Sequence, residues 1–144
     1  MFEGWNKNIK NAKLTGFRYS SGGGMAGGGS VTTIGVYDET RAVVTFTEQE
    51  WHNSKPVIKK YLTDIKILSE IEEVFREYDM HKWDNKKFTD MFVCDGASTS
   101  YGFYFDNHES INFSSQLYPE PYSEKLKEIS DVIDNNREFF KKYR

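Results

Sequence analysis

Two stretches near the C-terminal end alternate with a period of two. In Thr99 to Asp106, Tyr101, Phe103 and Phe105 fall on one side; in Ser110 to Leu117, Ile111, Phe113 and Ser115 do the same. That period puts successive side chains on opposite faces of a strand. The link Asp106-Asn107-His108-Glu109 is short and built of turn-forming residues, so the pair reads as a β-hairpin. The opposite positions, Ser98, Ser100, Gly102, Asn112, Ser114 and Gln116, are small and polar. One face therefore buries aromatic rings while the other meets water, the pattern of an antiparallel sheet.

The chain ahead of this hairpin supplies more strands. Leu14 to Ser21 alternates, with Phe17 and Tyr19 on one side. Val31 to Tyr37 and Ala42 to Thr47 are β-branched and apolar, joined by the turn Asp38-Glu39-Thr40-Arg41. Residues 55–62 allow either a fourth strand or a backward extension of the next helix. The strand is favoured because Thr63-Asp64 makes a good helix start, and Pro56 then suits an edge strand.

Asp64 to Asp79 is the clearest helix, with Ile65, Leu68, Ile71, Phe75 and Tyr78 at spacings of three and four. Ser123 is positioned to cap a last helix, whose stripe runs Leu126, Ile129, Ile133, Phe140, Tyr143, interrupted by Asn136. The expected fold is α+β: an antiparallel sheet of about four N-terminal strands plus a C-terminal hairpin, with two amphipathic helices packed on one face. Residues 1–13, with Trp5 and Ile9 as anchors, read as a loose N-terminal arm, and 14–144 as a single domain.

A chain of 144 residues, 16% of them aromatic, holds a core without staples. Its formal charge of −3 gives no pull toward nucleic acid or an anionic membrane. One cysteine, Cys94, forms no internal disulfide and fits a reducing compartment. No stretch approaches the roughly 20 apolar residues of a membrane span, and the first residues lack a signal-peptide core. A cytoplasmic location is the expectation.

Trp83 at the end of the first helix, Asp95-Gly96 ahead of the hairpin and Tyr118-Pro119 before the last helix carry a resemblance. Over about residues 30–140 the arrangement resembles small bacterial α+β domains of unknown function. The resemblance implies a fold class and no activity.

Between the first two strands, six of the eight residues Gly22, Gly23, Gly24, Met25, Ala26, Gly27, Gly28 and Gly29 are glycine. Gly22, Gly24 and Gly27 match G-x-G-x-x-G, but a dinucleotide site needs a helix directly afterwards, and here a strand follows. The run reads as a hairpin connection, or as a contact loop with Met25 at its tip. His52, His81 and His108 lie in three separate connections without ligand spacing, and Cys94 follows the apolar Met91-Phe92-Val93.

No catalytic constellation stands out, and no cofactor or metal is expected. The reading is an interaction domain that binds a protein or peptide partner. Contacts are expected at Gly22, Gly23, Gly24, Met25, Gly27, Gly28 and Gly29, and on the polar hairpin face at Ser98, Ser100, Ser114 and Gln116. The rival is a small-molecule binder or hydrolase with a cleft near Asp95, Ser98 and one histidine. A third reading is self-assembly through an exposed strand edge.

Overall fold

A computed structural model describes residues 8–22, 27–50, 53–88 and 97–143. The strands are β1 (Leu14–Gly22), β2 (Gly29–Val36), β3 (Arg41–Gln49), β4 (Val57–Asp64), β5 (Ser98–Phe105), β6 (Ser110–Ser115) and β7 (Lys141–Lys142). Helix α1 (Lys66–Glu77) follows β4, and α2 (Tyr122–Asn136) follows β6. All strand pairings are antiparallel, in the order β6-β5-β1-β2-β3-β4-β7. The chain is thus α+β, with residues 57–64 a strand and a seventh strand beyond the six expected.

Register explains which side chains are buried. Phe17 lies opposite both Ile34 and Phe103, Ile34 opposite Val44, and Phe103 opposite Ile111. All five are at most 2% exposed. Against them α1 buries Ile67, Leu68, Ile71, Val74 and Phe75, and α2 buries Leu126, Ile129 and Ile133. Phe75 meets Phe103 at 4.8 Å and Phe105 at 5.4 Å between ring centroids. Each fully buried ring of this kind contributes about 1.5–3 kcal/mol.

Ahead of β1, Ile9 joins the core. The Arg76 Nη2 group donates to the carbonyls of Ile9 and Ala12 at 2.8 and 2.7 Å, while Glu72 Oε2 holds its Nε at 2.7 Å.

Helix boundaries depart from expectation at two places. Thr63 and Asp64 end β4 rather than start α1; Asp64 instead accepts the Lys66 N–H at 2.9 Å, giving one first-turn donor a partner. The last helix begins at Tyr122 with no side-chain cap, so Ser123 does not cap it. It ends at Asn136, and a short 3-10 turn, Arg137–Phe139, leads into β7. Phe140 and Tyr143 leave the helical stripe because each finds a better site on the sheet. Phe140 stacks on Tyr61 at 5.5 Å, and Tyr143 meets Tyr37 edge-on at 5.8 Å. Asn136 is buried and bridges the helices, donating to Glu70 Oε1 at 2.8 Å.

The segment after α1 closes one sheet edge. Buried Asp84 accepts the Asn112 N–H at 2.8 Å, and the Asn85 N–H donates to the Asn112 carbonyl at 2.8 Å. Two backbone groups of edge strand β6 thus have partners, which blunts pairing with another chain there. Trp83, Phe88, Phe113, Tyr118 and Tyr122 pack together behind this clamp.

The β2–β3 turn is organised by Asp38. Its Oδ1 accepts the N–H groups of Thr40 and Arg41 at 3.0 and 2.8 Å, and its Oδ2 accepts Arg41 Nε and Nη2 at 2.9 and 2.6 Å. The Arg41 guanidinium foremost, with the backbone donors, lowers the Asp38 carboxyl from 3.8 to about 2. A carboxylate held below its unfolded value stabilises the fold above that value and ceases to as pH falls through the folded one. This contribution is therefore complete above about pH 4 and lost between about pH 4 and 2. A carbon-detected NMR titration of the Asp38 carboxyl is expected to show the depressed midpoint, and Arg41→Gln to return most of it toward 3.8.

Candidate functional site on the open sheet face

The sheet has a second face, which neither helix covers. Its side chains line up in rows, because paired residues of antiparallel strands project to the same side. One row runs Asn112, Gly102, Arg18, Thr33, Thr45, Lys60. The next runs Ser114, Ser100, Ser20, Val31, Thr47, Ile58. Beyond it come Ser98, Gly22, Gly29 and Gln49. With strands about 4.8 Å apart, a six-strand row spans roughly 24 Å. Most of its members are small or hydroxyl-bearing, so the surface is flat.

At the glycine end, Gly22, Gly27, Gly28 and Gly29 meet Ser98 and Ser100 around an open recess of about 280 Å³. Here the absence of side chains has a steric cause. A Cβ on Gly22 would lie 2.3 Å from the Gly28 carbonyl oxygen, one on Gly28 2.2 Å from that of Glu50, and one on Gly29 2.3 Å from that of Ser21. The ends of β1, β2 and β3 approach so closely that only bare backbone fits. Gly22 and Gly27 also have φ of 142° and 77°, where L side chains are strained.

At the opposite corner a second recess of about 330 Å³ is lined by Arg18, Asn85, Lys86, Ser100, Tyr104 and Ser114, among others. Ser100 borders both recesses. Tyr104 lies flat along β5: a Cβ on Gly102 would sit 2.6 Å from its hydroxyl, and one on Gly16 3.5 Å from its ring. The two glycines make the trench that holds the phenol. Asn85 adopts φ of 56°, a left-handed conformation that asparagine tolerates and that turns the chain toward Lys86.

Of the residues expected to make contacts, Gly22, Gly27, Gly28, Gly29, Ser98, Ser100 and Ser114 come together on this face. Gln116 lies past the end of β6 and lines neither recess. Gly23, Gly24, Met25, His52, Cys94 and Asp95 lie outside the described residues, as do Trp5 and Gly96. His81, whose imidazole is lowered by burial, sits in the 3-10 turn Met80–Trp83; His108 sits in the β5–β6 turn at φ 70°. Neither lines the two recesses. Among the described residues no group of three or more His, Cys, Asp or Glu is placed to hold a metal ion. Arg18, Lys86 and Tyr104 are the site residues that local sequence reading missed. Arg18 carried a usable signal, as the one charged residue within the alternating run Leu14 to Gly22.

Charge is divided between the layers. Each helix carries four carboxylates against two cations: Glu70, Glu72, Glu73 and Glu77 with Lys66 and Arg76 in α1; Glu124, Glu128, Asp131 and Asp134 with Lys125 and Lys127 in α2. Among strand residues on the open face, Arg18, Arg41, Lys60 and Lys141 stand against one carboxylate, Asp64.

No protein-family model, curated protein or solved structure matches this chain. Among the described residues no helix is long and apolar enough to cross a membrane.

Proposed function

We propose that this chain is a protein- or peptide-binding domain whose contact surface is the open sheet face, from the glycine end to the Lys86 corner. One observation carries the reading: two shallow recesses, both bordered by Ser100, lie on a flat, small-residue face opposite the helical layer. Such a surface suits a broad partner better than a small molecule, which is held in a concave site that buries most of its area. The rival, a small-molecule binder or hydrolase with a cleft near Asp95, Ser98 and one histidine, would place a base beside that serine. Among the described residues the recess at Ser98 is lined by glycines, hydroxyl side chains, Val31 and Gln49; Asp95 lies outside them.

Replacing the glycine loop is a poor test, since Gly22, Gly28 and Gly29 are packed between strand ends. Surface variants are cleaner. A photo-crosslinking amino acid at Ser100 is expected to trap a discrete partner in cells of the source organism, while one at exposed Glu73 on α1 does not. Ser100→Trp and Thr45→Trp, with unchanged thermal unfolding, are each expected to lower capture at least tenfold. Equal capture from both faces, or by the tryptophan variants, refutes the reading.

A further inference from the structure

We propose that the recess at the Lys86 corner binds the phosphoryl group of a phosphorylated side chain in a protein partner. This rests on the reading of the open face as a protein-binding surface, and names what one end of that surface recognises.

Five side chains around this recess carry hydrogen-bond donors: Arg18 from β1, Ser100 and Tyr104 from β5, Ser114 from β6, and Lys86 from the segment after α1. Among the described residues, none of these side chains makes a hydrogen bond or an ion pair. No carboxylate among the described residues lines the recess, and that of neighbouring Asp84 accepts the Asn112 N–H at 2.8 Å. The recess therefore presents positive charge and donors with no acidic group to answer them.

These donors are held in place. The Lys86 Nζ lies 5.5 Å from the centre of the Tyr122 ring and 5.9 Å from that of Phe88, two faces that attract a cation. The Lys86 N–H donates to the Trp83 carbonyl at 2.9 Å, next to the Asn85–Asn112 bond that fixes this segment on β6. Arg18 lies directly opposite Gly102, which leaves the floor of the recess bare. The Tyr104 hydroxyl and Asn112 Oδ1 are 2.6 and 2.9 Å from the point a Gly102 Cβ would take.

Donors reaching in from four elements suit a tetrahedral group better than a planar one. A phosphate monoester has three terminal oxygens and nearly two charges, where a carboxylate has two oxygens in one plane and one charge. The guanidinium fork of Arg18 takes two oxygens side by side, the Lys86 ammonium acts as a point charge, and the hydroxyls reach what remains. The surroundings call for a single anion. Along the row of Arg18 the next cation is Lys60, three strands away, with neutral Thr33 and Thr45 between them. That distance is roughly 14 Å at the usual strand spacing. The formal charge of −3 adds no attraction for a long polyanion. A peptide carrying one phosphoryl group, with neutral residues beside it, matches both the corner and the hydroxyl-bearing face around it.

The test is a ¹⁵N NMR titration of the full chain with the capped peptide Ala-Ala-Ser-Ala-Ala, phosphorylated on its serine. Saturable shifts are expected at Arg18, Lys86, Ser100, Tyr104 and Ser114. The unphosphorylated peptide, and the same peptide with glutamate in place of serine, are expected to bind at least tenfold more weakly. Arg18→Gln and Lys86→Gln, with unchanged thermal unfolding, are each expected to weaken binding of the phosphopeptide at least tenfold. Arg18→Lys keeps the charge without the fork and is expected to restore only part of the loss. Crosslinking from Ser100 in lysate is expected to fall at least tenfold after treatment with phosphatase. The proposal fails if the phosphopeptide gives no shifts at these residues or if the glutamate peptide binds equally. It fails too if inorganic phosphate, a single-stranded DNA oligonucleotide or phosphatidic acid vesicles bind more tightly than the phosphopeptide. Crosslinking undiminished by phosphatase overturns it and leaves the protein-binding reading standing. No crosslinking from untreated lysate overturns that reading, and the phosphopeptide titration then decides the anion site alone.

Discussion

Phe103→Ala is expected to lower the unfolding free energy by about 3–5 kcal/mol, the usual cost of emptying a buried phenylalanine site. Phe103 is fully buried and touches rings from three other elements: Phe17 on β1 at 5.3 Å, Phe75 on α1 at 4.8 Å and Phe113 on β6 at 6.0 Å. The site collapses poorly, because its walls are large rings fixed by the sheet register and by α1. A domain of this kind has a total stability of about 5–15 kcal/mol, so the variant loses a large share of it. Urea unfolding followed by circular dichroism measures the change. A loss below about 1 kcal/mol would mean the cavity closes, contrary to the packing described.

Gly22→Ala is expected to cost about 3 kcal/mol or more, as a positive-φ strain and a backbone clash coincide. Its φ of 142° disfavours any L side chain, and the added Cβ would lie 2.3 Å from the Gly28 oxygen and 2.6 Å from the Gly29 Cα. No flexible side chain is at hand to yield. Gly35→Ala is the comparison: nothing lies within 4 Å of the position its Cβ would take. There the substitution is expected to be neutral or to stabilise by about 0.4–1 kcal/mol, through a less free unfolded chain. Parallel urea titrations separate the two. Equal behaviour would remove the steric account of the glycine cluster.

Those glycines show where local reading stops. Their composition pointed to a connecting loop, and the alternation around them correctly placed strands on either side. Gly22 and Gly29 crowd each other's neighbours within the hairpin, but Gly28 is crowded by the carbonyls of Gln49, at the end of β3, and Glu50 just past it, about twenty residues away. Sequence near position 28 holds no trace of that approach.

The same limit explains the C-terminal end. Phe140 and Tyr143 continue the helical spacing of Leu126, Ile129 and Ile133, so periodicity alone extends the helix. Sheet pairing brings the rings of Tyr61, Phe46 and Tyr37 and the Lys60 carbonyl near, and on these the two residues settle instead. The hairpin was legible because both its faces are written within twenty residues: aromatics at Tyr101, Phe103, Phe105, Ile111 and Phe113, small polar groups between. The site was legible only in part. Ser98, Ser100 and Ser114 sit on that hairpin, but Arg18 and Lys86 reach the same recess through cross-strand register and a clamp at Asn112.

Among the described residues the helices carry an excess of carboxylates and the open strand face an excess of cations, so the molecule is polarised between these two layers. An approaching charged surface would exert a torque on it before contact, turning the sheet toward acid and the helices toward base. Such orientation raises the fraction of productive encounters rather than the strength of the final complex. It acts over about 8 Å at physiological ionic strength, and so fades steeply as salt is added. A partner arriving at the sheet would then show association rates that fall with salt while dissociation rates barely move.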